Sequence, residues 1–176
     1  MAKHGFLKRH RIVRNAIRED VLSFALPAAF VCCAGGVVIV WDLVRQLVRQ
    51  QGSLVILSVQ SIVGLALVVI GLTITLVAAG TLRRFYSSTL VVREDHQLIT
   101  HGVYRFTRHP IYLGAIMVLI GMPVCVSSLY GLLTMSALIP LVLNRIRIEE
   151  RMLTDEFGDA YRTYQEATSK LIPFTY

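Results

Sequence analysis

Three long stretches without a charged residue dominate this chain: Val21 to Trp41, Gln50 to Leu82, and Ile111 to Asn144. A bilayer core of about 30 Å is crossed by about 20 apolar residues in helical form. The first stretch fits one span. The second fits one long span over about Leu54 to Gly80, tilted to match the bilayer. The third is too long for one helix and short for two. Pro123 and the run Ser127-Ser128-Leu129-Tyr130-Gly131 divide it, which predicts a tight hairpin of two short helices. A mean hydropathy of +0.61 over 176 residues agrees with membrane burial rather than a soluble helical core. The expected fold is therefore an all-α integral membrane protein forming one domain over 1–176. It has four transmembrane helices, including the C-terminal hairpin, followed by a cytoplasmic amphipathic helix.

The net charge of +7 is distributed unevenly. Basic residues crowd the N-terminal segment before Val21, the 83–108 connection, and the segment after Asn144. Only Arg45 and Arg49 lie between the first two spans, and the hairpin tip has none. The positive-inside rule places both termini and the 83–108 connection in the cytoplasm, and an even number of spans agrees. The basic N-terminus could suggest nucleic acid. Beside a membrane span it reads as an orientation signal and a contact for anionic lipid, so no nucleic-acid partner is expected. Cys32, Cys33 and Cys125 form no disulfide framework and read as packing residues. No group of His, Cys or carboxylates has metal-ligand spacing, so no metal is expected. No Gly-x-Gly-x-x-Gly and no strand–helix alternation is present, which excludes a doubly wound nucleotide fold.

Beyond Asn144 the sequence turns amphipathic. Leu153, Phe157, Ala160, Tyr161 and Tyr164 recur at helical spacing as one apolar stripe, with Gly158 interrupting it.

The polar residues of interest gather at the membrane boundary. His109-Pro110 stands at the mouth of the third apolar stretch. Pro suits the first helical turn, so the N–H groups of Ile111, Tyr112 and Leu113 would face the cytoplasm. With the helix dipole they could take a carboxylate or phosphate, or the motif could be a plain helix start with an interfacial His. Arg145 and Glu149 lie four residues apart on one helix face. They could form an ordinary intrahelical ion pair, or bind a carboxylate and an ammonium respectively. Tyr104 and Tyr112 flank His109 and could stack on a flat ring. Tyr161 and Tyr164 fit an interfacial aromatic belt.

Taken in order, these pieces resemble one family. They run His96-Gln97-Leu98-Ile99, Gly102-Val103-Tyr104, Arg108-His109-Pro110-Ile111-Tyr112-Leu113-Gly114, then an apolar hairpin. After it come Arg145, Glu149-Glu150, Leu153, Phe157-Gly158, Tyr161, Tyr164 and Leu171-Ile172-Pro173. The set is similar to the isoprenylcysteine carboxyl methyltransferases and related membrane phospholipid methyltransferases, over about residues 80–174. The resemblance implies S-adenosylmethionine as cofactor, bound by His96, Gln97, Leu98, Ile99, Tyr104, His109, Pro110, Ile111, Tyr112 and Glu149. It places Arg145 at the acceptor and makes Arg145 and Glu149 the catalytic pair. The implied reaction is methyl transfer, at the cytoplasmic membrane face, to a lipidic or prenylated acceptor. Carboxyl methylation of an isoprenylcysteine-like or other lipidic carboxylate is the leading reading and phospholipid N-methylation the alternative. A non-enzymatic membrane scaffold or subunit is the competing class.

Overall fold

The computed structural model describes residues 24–49, 58–82 and 98–173. The chain runs α1 (Leu26–Arg49), α2 (Val59–Leu82), a 3-10 turn (Gly102–Arg105), α3 (Pro110–Cys125), α4 (Leu129–Ser136), α5 (Leu138–Phe157) and α6 (Asp159–Ala167). Three segments are long and apolar enough to cross a membrane: Leu26–Val48, Val59–Leu82 and Leu129–Phe157. The fourth expected span corresponds to α3, which is apolar but only 16 residues long. At 1.5 Å per residue it rises about 24 Å, short of the hydrocarbon thickness unless the bilayer thins around it.

Burial is inverted relative to a soluble bundle. Large apolar side chains such as Phe30, Val37, Trp41, Val59 and Leu76 are exposed on α1 and α2. The inward positions of α2 are small: Ser61, Gly64, Gly71 and Ala78. In lipid no hydrophobic force drives helices together, so close backbone approach through small residues must do it. Here Gly64 and Gly71 of α2 meet Gly121 and Gly114 of antiparallel α3. A Cβ on Gly71 would lie 2.6 Å from the Gly114 carbonyl oxygen, and one on Gly121 would lie 2.8 Å from that of Gly64. The seven-residue spacing on both helices keeps these glycines on one seam. Gly71→Leu is therefore expected to force the two helices apart and cost about 1–3 kcal/mol or more. Gly80→Leu, where a Cβ meets nothing within 4 Å, serves as the neutral control. Reversible unfolding of the two variants in mixed micelles makes the comparison, and equal stability would disprove the tight seam.

The hairpin break falls where the turn residues predict it. Pro123 does not end α3, which continues to Cys125. The turn follows at 126–128, with Ser127 in the left-handed region at φ 51°. Ser128 starts α4: its Oγ accepts from the Gly131 N–H at 3.0 Å and donates to Asp42 Oδ2 at 2.6 Å. The Gln46 side-chain amide donates to the Val126 carbonyl at 2.7 Å. Together these bonds fix the far end of α1 to the hairpin turn.

The structure departs from the sequence pattern at Asn144 and at the cysteines and agrees with it at Gly158. The change to polar residues at Asn144 is not a helix start, because α5 begins at Leu138 and runs unbroken to Phe157. The amphipathic stripe is divided at Gly158, as the sequence indicates, and its φ of +53° is one that no ordinary L residue holds cheaply. Its N–H closes α5 onto the Thr154 carbonyl at 2.9 Å, and Ala160 beyond it is exposed while Tyr161 and Tyr164 are buried. Cys32 and Cys33 are exposed on α1 rather than packed inside, and Cys125 is half-buried.

Candidate functional site

The start of α3, the middle of α5 and the segment after α6 converge at one end of the bundle. Two polar networks share this place.

The first network runs through Tyr112. Its hydroxyl donates to Glu149 Oε2 at 2.8 Å and accepts from Arg145 Nε at 2.9 Å. Arg145 and Glu149, four residues apart on α5, are thus bridged by a tyrosine from α3. Arg145 is 7% exposed, and the Phe24 ring lies against its guanidinium, 4.5 Å from Cζ to the ring centroid.

The second network centres on Glu150, which the sequence reading names without a role of its own. Its Oε1 accepts from Arg108 Nε at 3.0 Å and lies 3.5 Å from His109 Nε2; its Oε2 lies 2.6 Å from Lys170 Nζ. Glu149 and Glu150 are adjacent and so project about 100° apart around the helix. One faces Tyr112 and the other faces the chain's C-terminal segment. A periodic signal does exist for Glu150. Leu138, Val142, Ile146 and Glu150 recur every four residues, and all are buried. A carboxylate ending a buried stripe needs cationic partners.

Arg108 is the second residue that the sequence motif includes without a role. Besides Glu150 it reaches the end of α6, where Nη1 donates to the Gln165 carbonyl at 2.8 Å and also to the Thr168 carbonyl. A cation there complements the negative end of the helix dipole. Its own N–H donates to the Ser169 carbonyl at 2.9 Å, beside a parallel bridge between Thr107 and Ser169. Thr107 Oγ1 donates to the Leu171 carbonyl at 2.8 Å. Residues 168–171 thus lie as a strap across the segment entering α3. Tyr164 joins the same lining, its hydroxyl donating to the Tyr104 carbonyl at 2.6 Å. Burial pushes that hydroxyl up to about 12, against a lowering by Arg108, so it stays a neutral donor.

His109 and Pro110 are both buried, and Pro110 opens α3 as expected. Leu113 is not a free donor, since its N–H bonds to the His109 carbonyl at 3.1 Å; Ile111 and Tyr112 supply the open amides of the first turn. Tyr104 is buried, and Leu98 and Ile99 are half-buried ahead of the 3-10 turn. His96 and Gln97 lie outside the described residues. No group of three metal-ligating side chains occurs among the described residues.

Two buried polar atoms have no hydrogen-bond partner among the described residues: His109 Nε2 and the Tyr161 hydroxyl. Both neighbour Glu150. Buried polar groups rarely stay unsatisfied, so they mark a place where a polar ligand or water fits.

A family model described as the isoprenylcysteine carboxyl methyltransferase (ICMT) family matches residues 63–155, more than half of the chain. The chain belongs to the isoprenylcysteine carboxyl methyltransferase family. The match spans α2, α3, α4 and most of α5, including His109, Tyr112, Arg145 and Glu149. A probable protein-S-isoprenylcysteine O-methyltransferase of Oryza sativa subsp. indica is 32% identical over 117 residues, covering 65% of this chain and 61% of the relative. The chain therefore spans about three fifths of that relative's length. A methanethiol S-methyltransferase of Bradyrhizobium diazoefficiens is 42% identical over 73 residues, covering 41% of this chain and 25% of the relative. Among solved structures, the eukaryotic intramembrane Ras methyltransferase superposes with a TM-score of 0.71 at 22% identity, covering 91% of this chain and 61% of that one. That likeness establishes a shared fold. Apolar helices of membrane length and family membership together make this an integral membrane protein.

Proposed function

We propose that this protein is a membrane methyltransferase that uses S-adenosylmethionine to methylate the carboxylate of an isoprenylcysteine-like or other lipid-borne acceptor. The observation that carries the reading is the Tyr112 bridge, which joins a carboxylate and a buried arginine across α3 and α5 at the end of the apolar helices. Family membership and the names of the relatives support the methyl transfer. In this reading four helical segments cross the bilayer, with α3 held against α2 as the short one. Both termini, the strap and the site face the cytoplasm, where the basic residues concentrate, and α6 lies along that face.

Glu149 holds the cofactor's ammonium, while the open amides of Ile111 and Tyr112 and the buried His109 side chain take its carboxylate. The family resemblance assigns the base to Leu98, Ile99 and Tyr104, together with His96 and Gln97. S-adenosylmethionine supplies a methyl group on a sulfonium; transfer to a carboxylate leaves a methyl ester and a thioether and moves no proton. The chain therefore needs no general base. Arg145 holds the acceptor carboxylate through paired in-plane hydrogen bonds. Buried surroundings and fixed orientation supply the acceleration.

The test uses purified protein in lipid, tritiated-methyl S-adenosylmethionine and an N-acylated S-farnesylcysteine. An extractable product that mild base converts to volatile methanol is expected. A base-stable product on phosphatidylethanolamine would replace the carboxyl acceptor with an amine. No cofactor binding at millimolar concentration would end the methyltransferase reading.

A further inference from the structure

Arg145 is a buried cation at a membrane boundary, and such a group persists only with compensation. Tyr112 and Phe24 contribute to it from different directions. Tyr112 accepts a hydrogen bond from Nε, which lies in the guanidinium plane. Phe24 sets its ring against the guanidinium at 4.5 Å from Cζ. Phe24 stands just ahead of α1, more than a hundred residues before Arg145 and outside every motif at the site. A guanidinium offers planar faces to aromatic rings and an in-plane fork of donors to carboxylates. An in-plane bond and a ring contact together restrict both rotation about the side chain and tilt of the plane. They thereby set the direction in which the terminal fork points.

We propose that Phe24 is a positioning residue that orients Arg145 for a lipid-borne carboxylate. The inference rests on the assignment of Arg145 to the acceptor. It makes the first helix part of acceptor recognition, although the residues matched by the family model begin only in α2.

Phe24→Leu keeps an apolar side chain and removes the ring. It is expected to raise the KM for N-acylated S-farnesylcysteine about tenfold, the size of one partly buried cation–π contact. The KM for S-adenosylmethionine and the unfolding midpoint stay as in the wild type, and Phe24→Trp keeps the wild-type acceptor KM. An equal rise in both KM values, or a lowered midpoint that tracks the lost activity, would make Phe24 a packing residue and overturn the proposal. A binding readout needs no turnover. Trp41 is the chain's single tryptophan, so Phe24→Trp in a Trp41→Phe background reports from the Arg145 face alone. Its emission is expected to shift when the free farnesylcysteine acid is added without cofactor, and not with the uncharged methyl ester. Emission blind to the acid overturns the proposal. Emission that responds to the acid in a protein that transfers no methyl group upholds the Phe24–Arg145 device while the proposed reaction fails.

Discussion

Glu150→Ala is expected to destabilise the protein by about 3–5 kcal/mol, the cost of removing one partner from a buried charge network. The side chains of Arg108 and Glu150 are about one tenth exposed, and that of His109 is 3% exposed. Without the carboxylate, the Arg108 guanidinium is left, among the described residues, with the neutral Gln165 and Thr168 carbonyls and the Thr168 hydroxyl at the end of α6. Lys170 is 43% exposed and can turn to water, so its share of the loss is small. The damage should be local before it is global. Release of Lys170 loosens the strap at 168–171, so tryptic cleavage after Lys170 should accelerate in detergent below the unfolding temperature. Pairing Glu150→Ala with Arg108→Met should recover part of the loss, because the second change removes the charge left behind. A Glu150→Ala protein whose stability changes by less than about 0.5 kcal/mol, as at an ordinary surface site, would refute the network.

Glu150 also shows where sequence reasoning ends. The all-helical outline with apolar helices of membrane length was readable because a charge-free stretch has few folded outcomes. The hairpin break was readable because Ser127-Ser128 cannot continue an apolar helix cheaply. The family resemblance drew attention to His109, Tyr112, Arg145 and Glu149, and the fold brings these four to one end of the bundle. Its internal wiring was not readable. Arg108 meets Glu150 across 42 residues and Thr168 across 60, and no local spacing encodes such separations. Nothing in the sequence singles out Phe24, which only the fold sets against Arg145. Asn144 misled in the opposite sense: a change of polarity alters a helix's surroundings without ending the helix. Gly158 carried the real boundary, through a backbone angle rather than a polarity change.

Glu149→Ala is expected to weaken S-adenosylmethionine binding by about a hundredfold, as truncating one side of a buried charge pair does. Arg145→Ala should leave cofactor affinity within about threefold, because Tyr112 can still donate to Glu149. It should lower kcat/KM for the acceptor by about a hundredfold, the loss of a bidentate charged contact. Spacing along α5 alone would treat these as two independent sites. The Tyr112 hydroxyl makes them one, since it accepts from Arg145 and donates to Glu149 at the same time. Tyr112→Phe removes that oxygen and keeps the ring, so it is the variant that should harm both functions. Cofactor binding and acceptor KM should each worsen by about tenfold, near the value of one hydrogen bond to a charged group. Calorimetric titration of the cofactor and steady-state kinetics of the acceptor measure the two effects separately. Wild-type behaviour of Tyr112→Phe in both would mean that the bridge is a resting contact with no part in binding. Intact cofactor binding by Glu149→Ala would move the ammonium elsewhere, and Glu150 is then the next carboxylate to test, with its cationic neighbours Arg108 and Lys170 arguing against it.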